Sequence, residues 1–199
     1  MQKKLYVALG GAFALAALIP VTAAARHDSP GHDLRLQVGG LIHGRFGPNQ
    51  VYNKLGCAGG NMSPELLISG VPKAAKSLAI TVFDPDAPTQ SGWWHWLVYD
   101  LPPGTARLKE DASKMGLPSD AQHHPAQGPN DFGFGSDVYG GVCPPAGSPP
   151  HHYRVTVWAV KLASLASLGA QPGASAALID YFIEANAIAH RTVTVRYSR

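Results

Sequence analysis

Asp84-Pro-Asp-Ala-Pro-Thr-Gln-Ser-Gly-Trp-Trp-His-Trp-Leu-Val-Tyr99 gathers two carboxylates, two prolines, one histidine and three tryptophans into one short run. The apolar segment 78–83 leads into it and segment 96–101 leads out. Both read as strands, so the chain turns between them. Pro85, Pro88 and Gly92 supply the restricted and permissive dihedrals for that turn. Asp84 and Asp86 are thereby expected at a strand end, on a proline-stiffened loop, with His95 entering the next strand beside them. Rigid loops at strand ends are common places for ligand-contacting groups.

Working outward, residues 34–38 alternate like a strand, 39–60 are rich in Gly and Asn and read as irregular, and 66–69 follow a turn at 61–65. Regular structure is scarce from 102 to 150, apart from a short helix expected over 106–114. A loop of that length inside a domain is commonly functional, and Phe132, Phe134 and Tyr139 are candidate anchors for it. The clearest remaining strand is 151–161. Residues 174–189 are the best helix, with Leu178, Ile179, Phe182 and Ile183 on one face. A period-two strand at 191–197 ends the chain. The reading is therefore mainly β, with few short helices and long loops near one end.

Side chains alternate across a strand, so His151 and Tyr153 share a face with Val155 and Val157, whereas His152 and Arg154 take the other. Asp84, Asp86, His95, His151 and Tyr153 then form a candidate set. Imidazole and phenol groups donate hydrogen bonds to anionic oxygens, and nearby carboxylates are expected to fix the histidine tautomers and favour their charged form. That chemistry suits a small anionic or phosphate-bearing ligand. The bland alternative is five satisfied polar groups at loop junctions. A zinc reading draws on His95, His123, His124, His151 and His152 with Asp84 and Asp86, but no tight ligand spacing supports it. No G-x-S-x-G nucleophile elbow and no phosphate-cradling glycine loop is present. Trp93 precedes its strand and is the tryptophan best placed to meet a ligand.

The start of the chain has its own logic. Lys3 and Lys4 precede an uncharged apolar run over 5–19, Pro20 breaks it, and Ala23-Ala24-Ala25 fits a small-residue cleavage site. This predicts a signal peptide over 1–25, a loose arm over 26–33 and one domain over 34–199, in a periplasmic or secreted protein. Losing Lys3 and Lys4 takes the net charge from +3 to +1. No Lys/Arg run remains, so nucleic acid is not an expected partner, and no further stretch suits a membrane span. In an exported chain the pair Cys57 and Cys143 reads as a disulfide, with two buried thiols as the alternative.

Three blocks in order resemble the phosphatidylethanolamine-binding protein (PEBP) family, in its bacterial Raf-kinase-inhibitor-like branch. They are Asn61-Met-Ser-Pro-Glu65; Asp84-Pro-Asp-Ala-Pro88 with Trp93-Trp-His-Trp96; and Tyr139-Gly-Gly-Val-Cys-Pro-Pro145 with His151-His-Tyr153. The resemblance implies a β-rich fold with a small anion pocket at one end, lined by Asp84, Trp93, His95, Gly141, Pro144, His151 and Tyr153. Two departures stand out: Val142 where bacterial relatives often carry proline, and His152 where arginine is usual. The implied role is non-enzymatic binding of an anionic or phosphorylated ligand without a cofactor or metal, with a protein partner as a further expectation. The runner-up is a kinase- or protease-inhibitor-like interaction module with a vestigial pocket. Metal-assisted phosphoester hydrolysis is the enzymatic alternative.

Overall fold

The structure, a computed structural model, describes residues 34–133 and 137–199. The expected signal peptide over 1–25, the whole of the expected arm over 26–33 and Phe134 lie outside the described residues. Two antiparallel-rich sheets organise the domain. The smaller has the order β1 (Arg35–Val38), β4 (Leu66–Ser69), β7 (Arg107–Leu108). The larger runs β2 (Leu41–Ile42), β3 (Arg45–Phe46), β10 (Ala187–Tyr197), β9 (His151–Val160), β5 (Ser77–Asp84), β6 (Trp93–Leu101), β8 (Ala126–Gln127).

The larger sheet is covered on both faces, which explains why β5 is buried nearly end to end rather than alternating. On one face Leu78, Ile80, Val82, Trp96, Val155 and Val157 cluster with Leu36, Leu66 and Ile68 of the smaller sheet. On the other, Ala79, Leu97, Tyr99 and Val160 meet Ile179 and Ile183 of α2 (Ala176–Asn186). Burying such side chains stabilises the fold by about 1.5–3 kcal/mol each.

Helix α2 is shorter than the alanine-rich 174–189 segment suggests. Ser175 caps its start, its Oγ accepting from Leu178 N. At Ala187 the backbone turns extended and pairs with Val160 of β9. The β-branched run 192–195 belongs to the same strand, so sheet pairing overrides the helix propensity of the alanines. The buried stripe is Ala176, Ile179 and Ile183, while Leu178 is 42% exposed and so leaves the expected face. The 106–114 segment likewise divides, into β7 and a single turn, α1 (Ala112–Met115).

Two bulges in β6 decide where its side chains go. Val82 pairs with Trp96 and Phe83 with Trp94, which leaves His95 as the extra residue. Trp96 therefore enters the inter-sheet core, while Trp94 packs on the opposite face against Phe83, with ring centroids 4.6 Å apart. Uninterrupted alternation would have put both tryptophans on one face. At the other end of β6, Asp100 occupies a left-handed conformation (φ 60°) between the pairs Leu78–Leu101 and Ile80–Val98. Its carboxylate accepts from Ser164 Oγ and Leu165 N, tying the 161–165 connection to the sheet.

Candidate ligand-binding site

A cavity of about 170 Å³ opens where β5, β6 and β9 end together. Asp84, Ala87 and Pro88 come from the end of β5 and its loop, Trp93 and His95 from the start of β6, and His151 and Tyr153 from the start of β9. Leu55, Phe132 and the segment Cys143-Pro144-Pro145 complete the wall. Strand alternation in β9 is as expected: His151 and Tyr153 are buried, His152 is partly exposed and Arg154 is exposed.

Asp84 is the hub. Its Oδ2 accepts from His151 Nδ1 at 2.7 Å and its Oδ1 from Asp86 N at 2.9 Å, all at a buried strand end. The first contact orients the imidazole; the second closes the turn that Pro85 begins. Tyr153 is fully buried, and its hydroxyl has no hydrogen-bond partner. Burial, with the Asp84 carboxylate second, raises its pKa, so the phenol keeps its proton.

His95 departs from the expectation that carboxylates would favour its charged form. Its Nδ1 donates to Gly140 O at 2.7 Å. Burial lowers its pKa to about 4, and the Gly140 carbonyl and the charges of Asp84 and Asp131 oppose this without prevailing. Phe132 and Tyr153 flank the ring edge-to-face, with centroids 5.2 and 5.1 Å away.

Asp86 and Gly141, both members of the candidate set, do not line the cavity. Asp86 Oδ2 accepts from the backbone N and the Nδ1 of His152, pinning the 84–88 loop to β9. Burial opposes its charge, but His152 outweighs burial and holds the carboxyl below its ordinary range. The histidine in place of the usual arginine thus has a definite task, outside the cavity. Gly141 is a rim anchor: its N–H donates to Asn61 Oδ1 at 2.7 Å, and a Cβ there would meet Tyr52 N at 2.4 Å.

The rest of the rim is stapled in the same way. Gly140 N donates to His95 O, and a side chain on Gly140 would strike the Phe132 ring at 2.2 Å. Val142 donates its N–H to Gln50 O and is buried; proline there would lack that donor. Cys57 and Cys143 form a disulfide with Cα atoms 6.1 Å apart. Asn61 therefore serves the site by holding its rim, which is the structural meaning of the first sequence block. Phe132 was legible only as an anchor. Its ring packs at a tilt on Tyr52 and edge-to-face on Trp93 and His95, which makes it part of the wall.

Of the histidines considered for zinc, His123 is committed elsewhere, to Asp120 and the Lys76 carbonyl. Among the described residues no group of three or more His, Cys, Asp or Glu side chains is arranged to hold a metal ion.

Fold and site together define a β-sheet protein with a small, mixed polar and aromatic cavity at the strand ends. The sequence profile described as "Phosphatidylethanolamine-binding protein" matches residues 43–198, and the chain belongs to that family. A binding role in the general sense follows from membership. Among the relatives, UPF0098 protein YbcL of Escherichia coli K12 is 45% identical over 152 residues, covering 75% of this chain and 78% of its own. UPF0098 protein YbhB of the same organism is 35% identical over 150 residues, covering 74% and 89%. The crystal structure of E. coli YbcL, described as a new member of the mammalian PEBP family, superposes with a TM-score of 0.76 at 39% identity, covering 83% of this chain and 98% of that one. A putative PEBP homologue from Chlamydia trachomatis gives 0.63 at 27% identity, covering 85% and 99%.

Proposed function

We propose that this chain is an exported, non-enzymatic binding protein whose strand-end cavity takes a small anionic or phosphate-bearing group. Occupancy would then regulate a protein partner. The observation that carries the reading is the Tyr153 hydroxyl: buried in the cavity wall beside the Asp84 carboxylate, protonated, and in good hydrogen-bond geometry with no acceptor. Leaving such a group unpaired costs about 1–3 kcal/mol, a cost that a bound oxygen acceptor removes. His151, oriented by Asp84, stands beside it with its ring stacked 6.3 Å away. The cavity admits a head group rather than a whole lipid or cofactor; its volume of about 170 Å³ sets that limit.

Isothermal titration with inorganic phosphate tests the reading. His151→Ala should weaken binding by about 1.5–3 kcal/mol, the worth of a hydrogen bond to a charged group. His152→Ala should cost much less, because that ring faces Asp86 outside the cavity. Equal losses for the two would contradict the assignment, and no binding by the wild type would favour an interaction module with a vestigial pocket. N-terminal sequencing of exported protein should begin at Arg26.

A further inference from the structure

A second cavity, of about 520 Å³, is lined by Cys57, whereas the disulfide partner Cys143 lines the strand-end cavity. Its volume falls within the range of roughly 300–1,000 Å³ usual for small organic ligands; the strand-end cavity, at about 170 Å³, falls below it. Two arginines are built into its wall from different parts of the chain. His43 and Gly44, with φ 49° and 74°, make the two-residue turn between β2 and β3, which sets Arg45 opposite Ile42. Arg45 also pairs in parallel with Arg196 of β10, and its Nη2 donates to Ser198 O at 3.4 Å and to Ser198 Oγ. Arg199 donates from Nη1 to Leu55 O at 3.2 Å, and the same nitrogen lies 3.6 and 3.8 Å from the Cys57 and Cys143 sulfurs. Gly56, at φ 80°, makes room for it: a Cβ there would stand 2.9 Å from Arg199 Nη1.

Arg45, Arg199 and His43 line this cavity, and no Asp or Glu does. Among the described residues the ion pairs of arginine and lysine are Arg107–Glu65 and Lys114–Asp111, so neither cavity arginine is neutralised by a carboxylate. The hydrogen bonds that hold the two guanidinium groups go to uncharged acceptors and use one terminal nitrogen of each. The forks are thus positioned while their charge is left for a ligand. Most of the remaining wall is apolar, with Phe46 and Val51 buried and Ile42 53% exposed. Positive forks beside an apolar wall suit an anion that carries an apolar body. A guanidinium matches a carboxylate through two parallel N–H···O bonds. A phosphate or sulfate would turn its further oxygens toward Phe46 and Val51, which can pair none of them. We propose that this second cavity binds an organic acid: Arg45 and Arg199 hold its carboxylate, and its apolar chain or ring covers Ile42, Phe46 and Tyr197. The inference uses no residue of the strand-end cavity and stands independently of the anion reading there.

The test is calorimetry on the purified protein at neutral pH with octanoate, 1-octanol and acetate. Octanoate should bind as a single copy per chain, at least about tenfold more tightly than octanol, which lacks the charge, or acetate, which lacks the body. That gap is the lower end of what a hydrogen bond to a charged group contributes. Arg45→Gln and Arg199→Gln should each weaken octanoate about tenfold and leave octanol where it was, a pattern that a general loss of packing would not give. His151→Ala, in the strand-end cavity, should leave octanoate binding unchanged. Should Arg199→Gln fail to fold, Arg45→Gln decides, since Arg45 is exposed. Absence of octanoate binding, octanol binding as tightly as octanoate, or several loosely held octanoates per chain would each overturn the proposal. So would octanoate binding that is lost in His151→Ala and kept in both arginine variants, which would move the acid to the strand-end cavity. Failure of inorganic phosphate to bind the strand-end cavity would leave this proposal standing.

Discussion

His95 and His123 are both buried, at 3% and 6% exposure, yet their proton affinities move in opposite directions. His123 donates from Nδ1 to Asp120 Oδ1 at 2.8 Å and from Nε2 to Lys76 O at 2.7 Å. Neither partner can donate, so the ring needs both protons. Burial pulls its pKa down, but Asp120 and the Lys76 carbonyl outweigh it and the net shift is upward. His95 lies deeper, and there burial wins over the Gly140 and Gly141 carbonyls and the charges of Asp84 and Asp131. The contrast shows that depth of burial and the acceptors at hand together set the charge of a buried imidazole.

Separating the two regions should give the largest effect. The Cys57–Cys143 disulfide holds the rim that carries Gly140, the acceptor of His95, and has no part in the Asp120–His123 clasp. Replacing both cysteines with serine should lower unfolding stability by about 2–5 kcal/mol, read from denaturant curves. Histidine NMR on the same variant should show His95 titrating nearer its ordinary value and His123 unchanged.

Asp120→Asn should act next, on the clasp alone. Because the folded-state pKa of His123 is raised, its contribution to stability is fully present below the unfolded value and is lost as pH rises through the folded one. Melting temperatures from pH 5 to 9 should show that loss in the wild type and a flatter profile in the variant. A matching loss in Asp120→Asn would mean that Asp120 does not hold the proton.

Asp180 extends the rule to a carboxylate, with the smallest effect. It is half-buried on α2, no donor reaches it among the described residues, and burial, with Glu184 second, pushes its pKa up to about 6. A carboxylate raised in the folded state lowers stability as pH rises from about 4 to 6. Asp180→Asn should therefore stabilise at pH 7 by roughly 1 kcal/mol, with no gain below pH 4.

Much of this was legible in the sequence, because the strands flanking 84–99 and the alternation over 151–157 follow a period that chain geometry imposes. What escaped is what depends on tertiary partners. The bulge at His95 changes which face Trp94 takes, and nothing local announces it. Asp86 looked like a ligand group because it shares the proline-stiffened loop at the strand end with Asp84, but its oxygen is claimed by His152, 66 residues away. Asn61 and Gly141 meet across 80 residues. Helix α2 ends early because β9 offers Ala187 a strand partner. Residue types announced the chemistry; long-range hydrogen bonds decided which groups face the cavity.

The central claim, that the His95–His151–Tyr153 cavity is an anion site, is tested most directly by nitrogen-15 NMR of histidine-labelled protein during a titration with inorganic phosphate at pH 6.5. In the free protein, His95 should show a neutral ring that keeps its Nδ1 proton. Saturation should move the Nε2 signal of His95 and the ring signals of His151, and leave His123 and His152 in place. A free His95 already protonated on both nitrogens, or saturating phosphate that shifts His152 and not His95, would contradict the account.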